Sequence, residues 1–118
     1  METTTTQNEF IAPPPVAIQG DIEKIKRLSV RRLDTDQIVQ TRGRASWALA
    51  QLIVTGAKGF TSRERPAPRI SWYVFKLRHH HGLPVQTIDE AHGGAYRGTH
   101  GRYVLNVPLA IMEAEFAA

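Results

Sequence analysis

Helix formers fill the stretch between Arg44 and Thr55, which reads Ala-Ser-Trp-Ala-Leu-Ala-Gln-Leu-Ile-Val. Trp47, Ala48, Leu52 and Ile53 give it a broad apolar face, and Gly56 and Gly59 supply the residues that commonly end a helix. A buried helix is predicted there. A second helical pattern runs over about 68–81. At about 100° per residue, Ile70, Val74, Leu77 and His81 gather on one side with Tyr73 at the edge. Arg69, Trp72, Lys76, His79 and His80 take the other side, so the helix is amphipathic with a cationic and aromatic polar face. Pro68 suits its first turn and Gly82 its C-terminal cap. Between these two patterns lies Thr61-Ser62-Arg63-Glu64, which has the Thr-x-x-Glu form of a capping box. The helix it starts must be short, because Pro66 and Pro68 follow closely.

Past Gly82 the pattern changes to strand propensity, over Leu83–Asp89 and again over Gly101–Val107. The connection from Glu90 to His100 holds Gly93, Gly94 and Gly98, so a hairpin with a long glycine-rich tip is expected. Pro108 closes the second strand, and residues 108–118 are expected to be a tail or a short helix. At the other end, residues 21–34 read as a helix with Ile22, Ile25, Leu28 and Leu33 roughly on one side. Their β-branched residues and imperfect spacing leave a strand open. Residues 1–20 carry a Thr/Gln-rich run and Pro13-Pro14-Pro15, a composition that buries little and is expected to be disordered.

Helix, glycine turn, short capped helix, basic amphipathic helix and hairpin follow one another in order. Gly59-Phe-Thr-Ser-Arg-Glu64, the run Pro66 to Arg78, and His92 to Leu105 resemble small bacterial and phage winged helix-turn-helix domains. The resemblance covers residues 42–107 and implies an α+β fold, with a three-helix core and a C-terminal β-hairpin wing. It makes the helix before Gly82 the recognition helix and Arg102-Tyr-Val-Leu the return strand of the wing. Residues 21–41 are then an N-terminal extension, expected to serve as a dimerisation element. Deleting residues 1–38 is expected to leave a folded domain.

Charge adds a partner class. The net charge is +4, and between Arg42 and Arg102 only Glu64, Asp89 and Glu90 oppose the Lys and Arg residues. A basic middle with acidic flanks fits a polyanion-binding module as well as a merely solvated surface. The chain has no cysteine, which removes disulfides and thiolate zinc sites. No apolar run reaches the roughly 20 residues of a membrane span, and no secretory signal is recognisable at the N-terminus. A cytoplasmic protein is expected. His79, His80 and His81 are consecutive on a helix, so they point in three directions and no metal site is expected. No phosphate loop, cofactor motif or catalytic constellation is present, so neither catalysis nor a small-molecule substrate is expected.

The expected partner is double-stranded DNA, bound by a transcriptional regulator or an architectural factor of the excisionase kind. A major groove about 12 Å wide admits one α-helix. Arg69, Ser71, Trp72, Lys76, His79 and His80 are the candidate contacts from that helix, with Arg69 placed to bond guanine bidentately. For Trp72 burial is the more ordinary fate in a small domain. Arg97 on the hairpin tip is a candidate for the minor groove. Arg42, Arg44 and Arg63 are candidates for phosphates, which position without specifying sequence. The alternative is a winged-helix protein-interaction module with an exposed patch of Trp72, Phe75 and Tyr96. RNA binding is a weaker third reading, since no stacking motif of the usual RNA modules is present.

Overall fold

The computed structural model describes residues 18–92 and 98–118. The expected disordered tail, apart from residues 18–20, and the wing-tip residues Tyr96 and Arg97 lie outside the described residues. A 3-10 turn, Ile22–Lys24, leads into strand β1 (Ile25–Arg32), which is followed by β2 (Ile38–Arg42) and helix α1 (Arg44–Thr55). A two-residue strand β3 (Phe60–Thr61), helix α2 (Ile70–His79), β4 (Gln86–His92), β5 (Gly98–Val104) and β6 (Leu109–Phe116) complete the described chain. The strands form two three-stranded sheets, ordered β2-β1-β6 and β3-β5-β4.

Two expectations are corrected at the ends. Residues 21–34 are not a helix: after the 3-10 turn they form the central strand of the first sheet, antiparallel to both β2 and β6. The period was misleading for a physical reason. A β-bulge sets Ile25 and Arg27 against consecutive residues of β6, Phe116 and Glu115, so the buried Ile25 and Leu28 fall three positions apart, as on a helix. Leu33, expected on the apolar side, lies in the exposed turn after β1. The C-terminal segment is neither tail nor helix but the strand β6, whose partner lies some eighty positions away in β1.

The core assigns residues 21–41 to the body of the domain, in place of a separate extension. Leu28 and Val30 of β1 and Val39 of β2 are buried in one cluster with α1 and α2. Helix α1 is buried along Ala45–Ile53, because β1 and β2, α2 and β3 all pack on it. Its apolar sequence is therefore that of a central helix, with no wet face. Trp47 meets Phe60 edge-on at 6.1 Å, and its indole Nε1–H donates to Glu23 Oε2 at 2.8 Å. Gln51, also buried, donates to the same carboxylate oxygen and accepts from Arg65 Nη1 at 2.6 Å. This chain of bonds ties the 3-10 turn, α1 and the segment before α2 together.

A three-helix core is not what forms: among the described residues there are two α-helices. The capping box is present, with Glu64 N–H donating to Thr61 Oγ1 at 3.1 Å and Thr61 N–H to Glu64 Oε1 at 3.2 Å. What it caps is a single turn, closed by Arg65 N–H to Thr61 O at 3.0 Å and stopped by Pro66 and Pro68. Pro68 also lies outside α2, which starts at Ile70 after a left-handed Arg69. The two wing strands have the expected length but lie three residues nearer the connection than expected. Pairing of β4 with β5 continues to His92 and Gly98, so only residues 93–97 connect them.

Candidate nucleic-acid interface

Helix α2 buries Ile70, Val74 and Leu77 against the core, as their spacing requires. Its orientation is fixed at both ends. Arg69 carries the N-terminal carbonyl to which the amides of Trp72 and Tyr73 bond, at 3.0 and 3.2 Å. At the C-terminal end Gly82 adopts φ 68°, which brings the Leu83 N–H back to Leu77 O at 2.9 Å and seats Leu83 in the core. Arg78 bonds the Val85 carbonyl at 2.7 Å and the Thr87 hydroxyl, so this cation joins α2 to the wing strand β4.

The outward side of α2 carries Trp72, Phe75 and His79, with Lys76 and Ser71 beside them. Trp72 is 43% exposed, which corrects the expectation that it is buried, and Phe75 is 42% exposed. Their rings stack at 5.4 Å with planes 10° apart, and His79 follows at 4.3 Å from Phe75. His80 meets the edge of the same phenyl ring at 6.5 Å. Phe75 is the residue that sequence reasoning left out of the DNA-contact set. The signal was available, since it stands three positions from Trp72 and opposite the Ile70, Val74 and Leu77 stripe.

Of the remaining candidates, Arg63 is exposed in the single turn before α2 and Arg69 is exposed at the helix start. Neither they nor Lys76 makes an ion pair among the described residues. Arg44 is exposed at the start of α1, its guanidinium 4.6 Å from the Trp47 ring centre. Arg42 is not brought to α2. It projects from the outer side of the β2-β1-β6 sheet, into a shallow polar groove with Arg27, Glu113 and Glu115. Arg97 lies outside the described residues.

Much of the positive charge seen in the sequence is already used within the fold. Arg31 pairs with Asp36, Arg32 with Asp34 and Arg27 with Glu115. Arg102 of β5 bonds Glu64 through two nitrogens and Glu90 of β4 through the third, and also donates to the Lys58 carbonyl. The Arg102 guanidinium holds both carboxyls below their usual range, with His100 adding to the effect at Glu90. The two carboxylates in turn hold the arginine firmly charged. The wing and the turn before α2 are thereby fastened to each other.

A helix set on a buried helix, a lead-in turn and a hairpin fastened to both make a recognisable module, and a family model described as a winged helix domain matches residues 38–115. The chain belongs to the winged helix family. Among curated proteins and among solved structures nothing matches it. The match runs past the expected boundaries of 42 and 107, taking in β2 at one end and most of β6 at the other. Helix α2 and the β4–β5 hairpin both lie within the matched residues. The helix that would normally precede α2 is reduced here to the capped turn at Thr61–Arg65. Among the described residues no helix is long and apolar enough to cross a membrane.

Proposed function

We propose that this winged helix binds double-stranded DNA as a cytoplasmic transcriptional regulator or architectural factor. Helix α2 enters the major groove and the β4–β5 wing lies on the backbone or in the minor groove. The observation that carries this reading is that the cations at the start and on the flank of α2 have no carboxylate partner among the described residues. Arg27, Arg31, Arg32 and Arg102 are held by carboxylates, whereas Arg69 at the start of α2 and Lys76 on its flank have no ion-pair partner among the described residues, as is also true of Lys24, Lys26, Arg42, Arg44, Lys58 and Arg63 elsewhere on the surface. Cations free at the start and on the flank of one helix suit phosphates beside a groove. A homodimer belongs to the same proposal, because one small module seldom reaches specific affinity alone. Within residues 21–41, β2 is an edge strand with unpaired backbone to offer a second copy.

The test is a fluorescence-anisotropy titration of a random-sequence duplex at low and raised salt. Affinity falling steeply with salt, with a log–log slope of about 0.9 per phosphate contact, is the expected result. Absence of binding at low salt overturns the reading. The exposed stack of Trp72 on Phe75 favours a second reading, a protein-docking module, because such a patch also suits an apolar partner. Arg69→Ala with Lys76→Glu separates the two: DNA binding is lost under the first reading and partner capture survives under the second.

A further inference from the structure

We infer that the rings of Trp72 and Phe75, continued by His79, read the 5-methyl groups of a short run of thymines in the major groove. This rests on the DNA-binding reading and adds the base class that α2 selects. At the Trp72–Phe75 pair the outward face is poor in groups that hydrogen-bond base edges, the hydroxyl of Ser71 and the imidazoles of His79 and His80 lying to either side. Phe75 has none and Trp72 a single N–H donor, while the guanidinium of Arg69 and the ammonium of Lys76 lie at the helix start and on the flank. What the face offers instead is apolar ring surface, the rings of Trp72 and Phe75 stacked with planes 10° apart, with the polar imidazole of His79 following 4.3 Å beyond Phe75. The apolar feature that a base pair displays in the major groove is the thymine methyl group.

Geometry and charge both support that occupant. From Trp72 to His79 the ladder rises about 10 Å along the helix, the length of about three base-pair steps at roughly 3.4 Å each. Arg69 at the helix start and Lys76 on the flank carry positive charge without ion-pair partners among the described residues, which complements a phosphate backbone better than an apolar protein groove. The rings thus choose bases while the cations hold the strands.

The experiment starts from duplexes enriched from a randomised library by repeated capture on the full chain. Every thymine in the enriched duplex is then replaced by deoxyuridine, which pairs identically and lacks the methyl group. For the wild-type protein the expected result is an affinity lower by about fourfold for each methyl group contacted, with the salt slope unchanged. The Trp72→Ala/Phe75→Ala variant, its folding checked by thermal unfolding, is expected to bind both duplexes alike. Equal binding of the two duplexes by the wild type overturns the inference and leaves DNA binding intact. A preference for thymine that persists in the variant also overturns it, since other residues then read the methyl groups. Failure to bind any duplex at low salt overturns the DNA reading itself.

Discussion

Arg102 on β5 and Glu64 before α2 are joined side by side, Nη2 to Oε2 at 2.8 Å and Nη1 to Oε1 at 3.1 Å. Because Glu90 of β4 takes the remaining guanidinium nitrogen, one side chain ties both wing strands to the turn that leads into α2. Arg102→Ala is expected to free the wing from the helix while leaving the core folded. Amide exchange should quicken over residues 61–65 and in the wing strands, and specific DNA affinity should fall about tenfold. Arg102→Lys should recover little of it, since an ammonium cannot present a fork to two carboxylates. Unchanged exchange in the wing would show that the hairpin is held by its backbone pairing alone.

The same contact makes stability depend on pH, and His81 adds a second range. Hydrogen bonds from Arg102 lower the Glu64 and Glu90 carboxyls from their ordinary value of 4.5, so their contribution is present above that value. It is lost as pH falls through the lowered values, where the folded protein must take up protons. At His81 burial, then the nearby His80 and Lys76, lowers the imidazole from its ordinary 6.5. The fold therefore disfavours the charged ring, so stability is full above pH 6.5 and declines as pH falls below it, where the unfolded chain takes up the proton more readily. Melting temperature against pH should therefore decline in two stages. His81→Gln should remove the upper stage and Arg102→Ala the lower.

Two glycines with positive φ make a contrasting pair. Gly59 has φ 67°, and a Cβ there would lie 2.1 Å from the Tyr103 carbonyl oxygen, whereas Gly82 has φ 68° with nothing within 4 Å of a Cβ. Gly59→Ala carries backbone strain and also pushes β3 off β5, so a loss of roughly 2–4 kcal/mol is expected. Gly82→Ala carries the strain alone, roughly 1–2 kcal/mol. Urea denaturation of the two variants measures the difference, and equal losses would mean that the β3–β5 contact contributes nothing.

Local signals carried the parts of the fold that depend on near neighbours. The buried character of α1, the Ile70, Val74 and Leu77 stripe and the Thr61–Glu64 box were legible because each is written within a dozen residues, and the hairpin because its two strands follow one another directly between Gln86 and Val104. The first sheet was not. Its central strand hides its alternation behind the bulge before Arg27, and β6 shows no helix-or-strand preference until β1 is beside it. The site was half legible for a similar reason. Positive charge is visible in the sequence, but the cancellation of Arg102 by Glu64 and Glu90 is set by contacts 38 and 12 positions apart. Because β1 is central, deletion of residues 1–38 is now expected to abolish cooperative unfolding. Leu28→Ala alone should cost about 3 kcal/mol, a large part of the stability of a domain this size. A cooperative melt in the deletion variant would return β1 to the status of an extension.

Arg69 is the residue where stability and binding are expected to oppose each other. It holds φ 64° and ψ 30° at the start of α2, a left-handed conformation that costs a non-glycine residue about 1–2 kcal/mol. Its side chain is exposed and makes no hydrogen bond or ion pair among the described residues to offset that strain. Glycine would adopt the same backbone freely, at the cost of a more flexible unfolded chain, about 0.4–1 kcal/mol. Arg69→Gly is therefore expected to stabilise the fold by about 0.5–1 kcal/mol. If the guanidinium contacts DNA, the same change should weaken duplex binding and reduce the salt slope by about one contact. Denaturant titration and anisotropy on the one variant read both effects. A stabilised protein with unaltered DNA affinity would leave the left-handed arginine without a role at the interface.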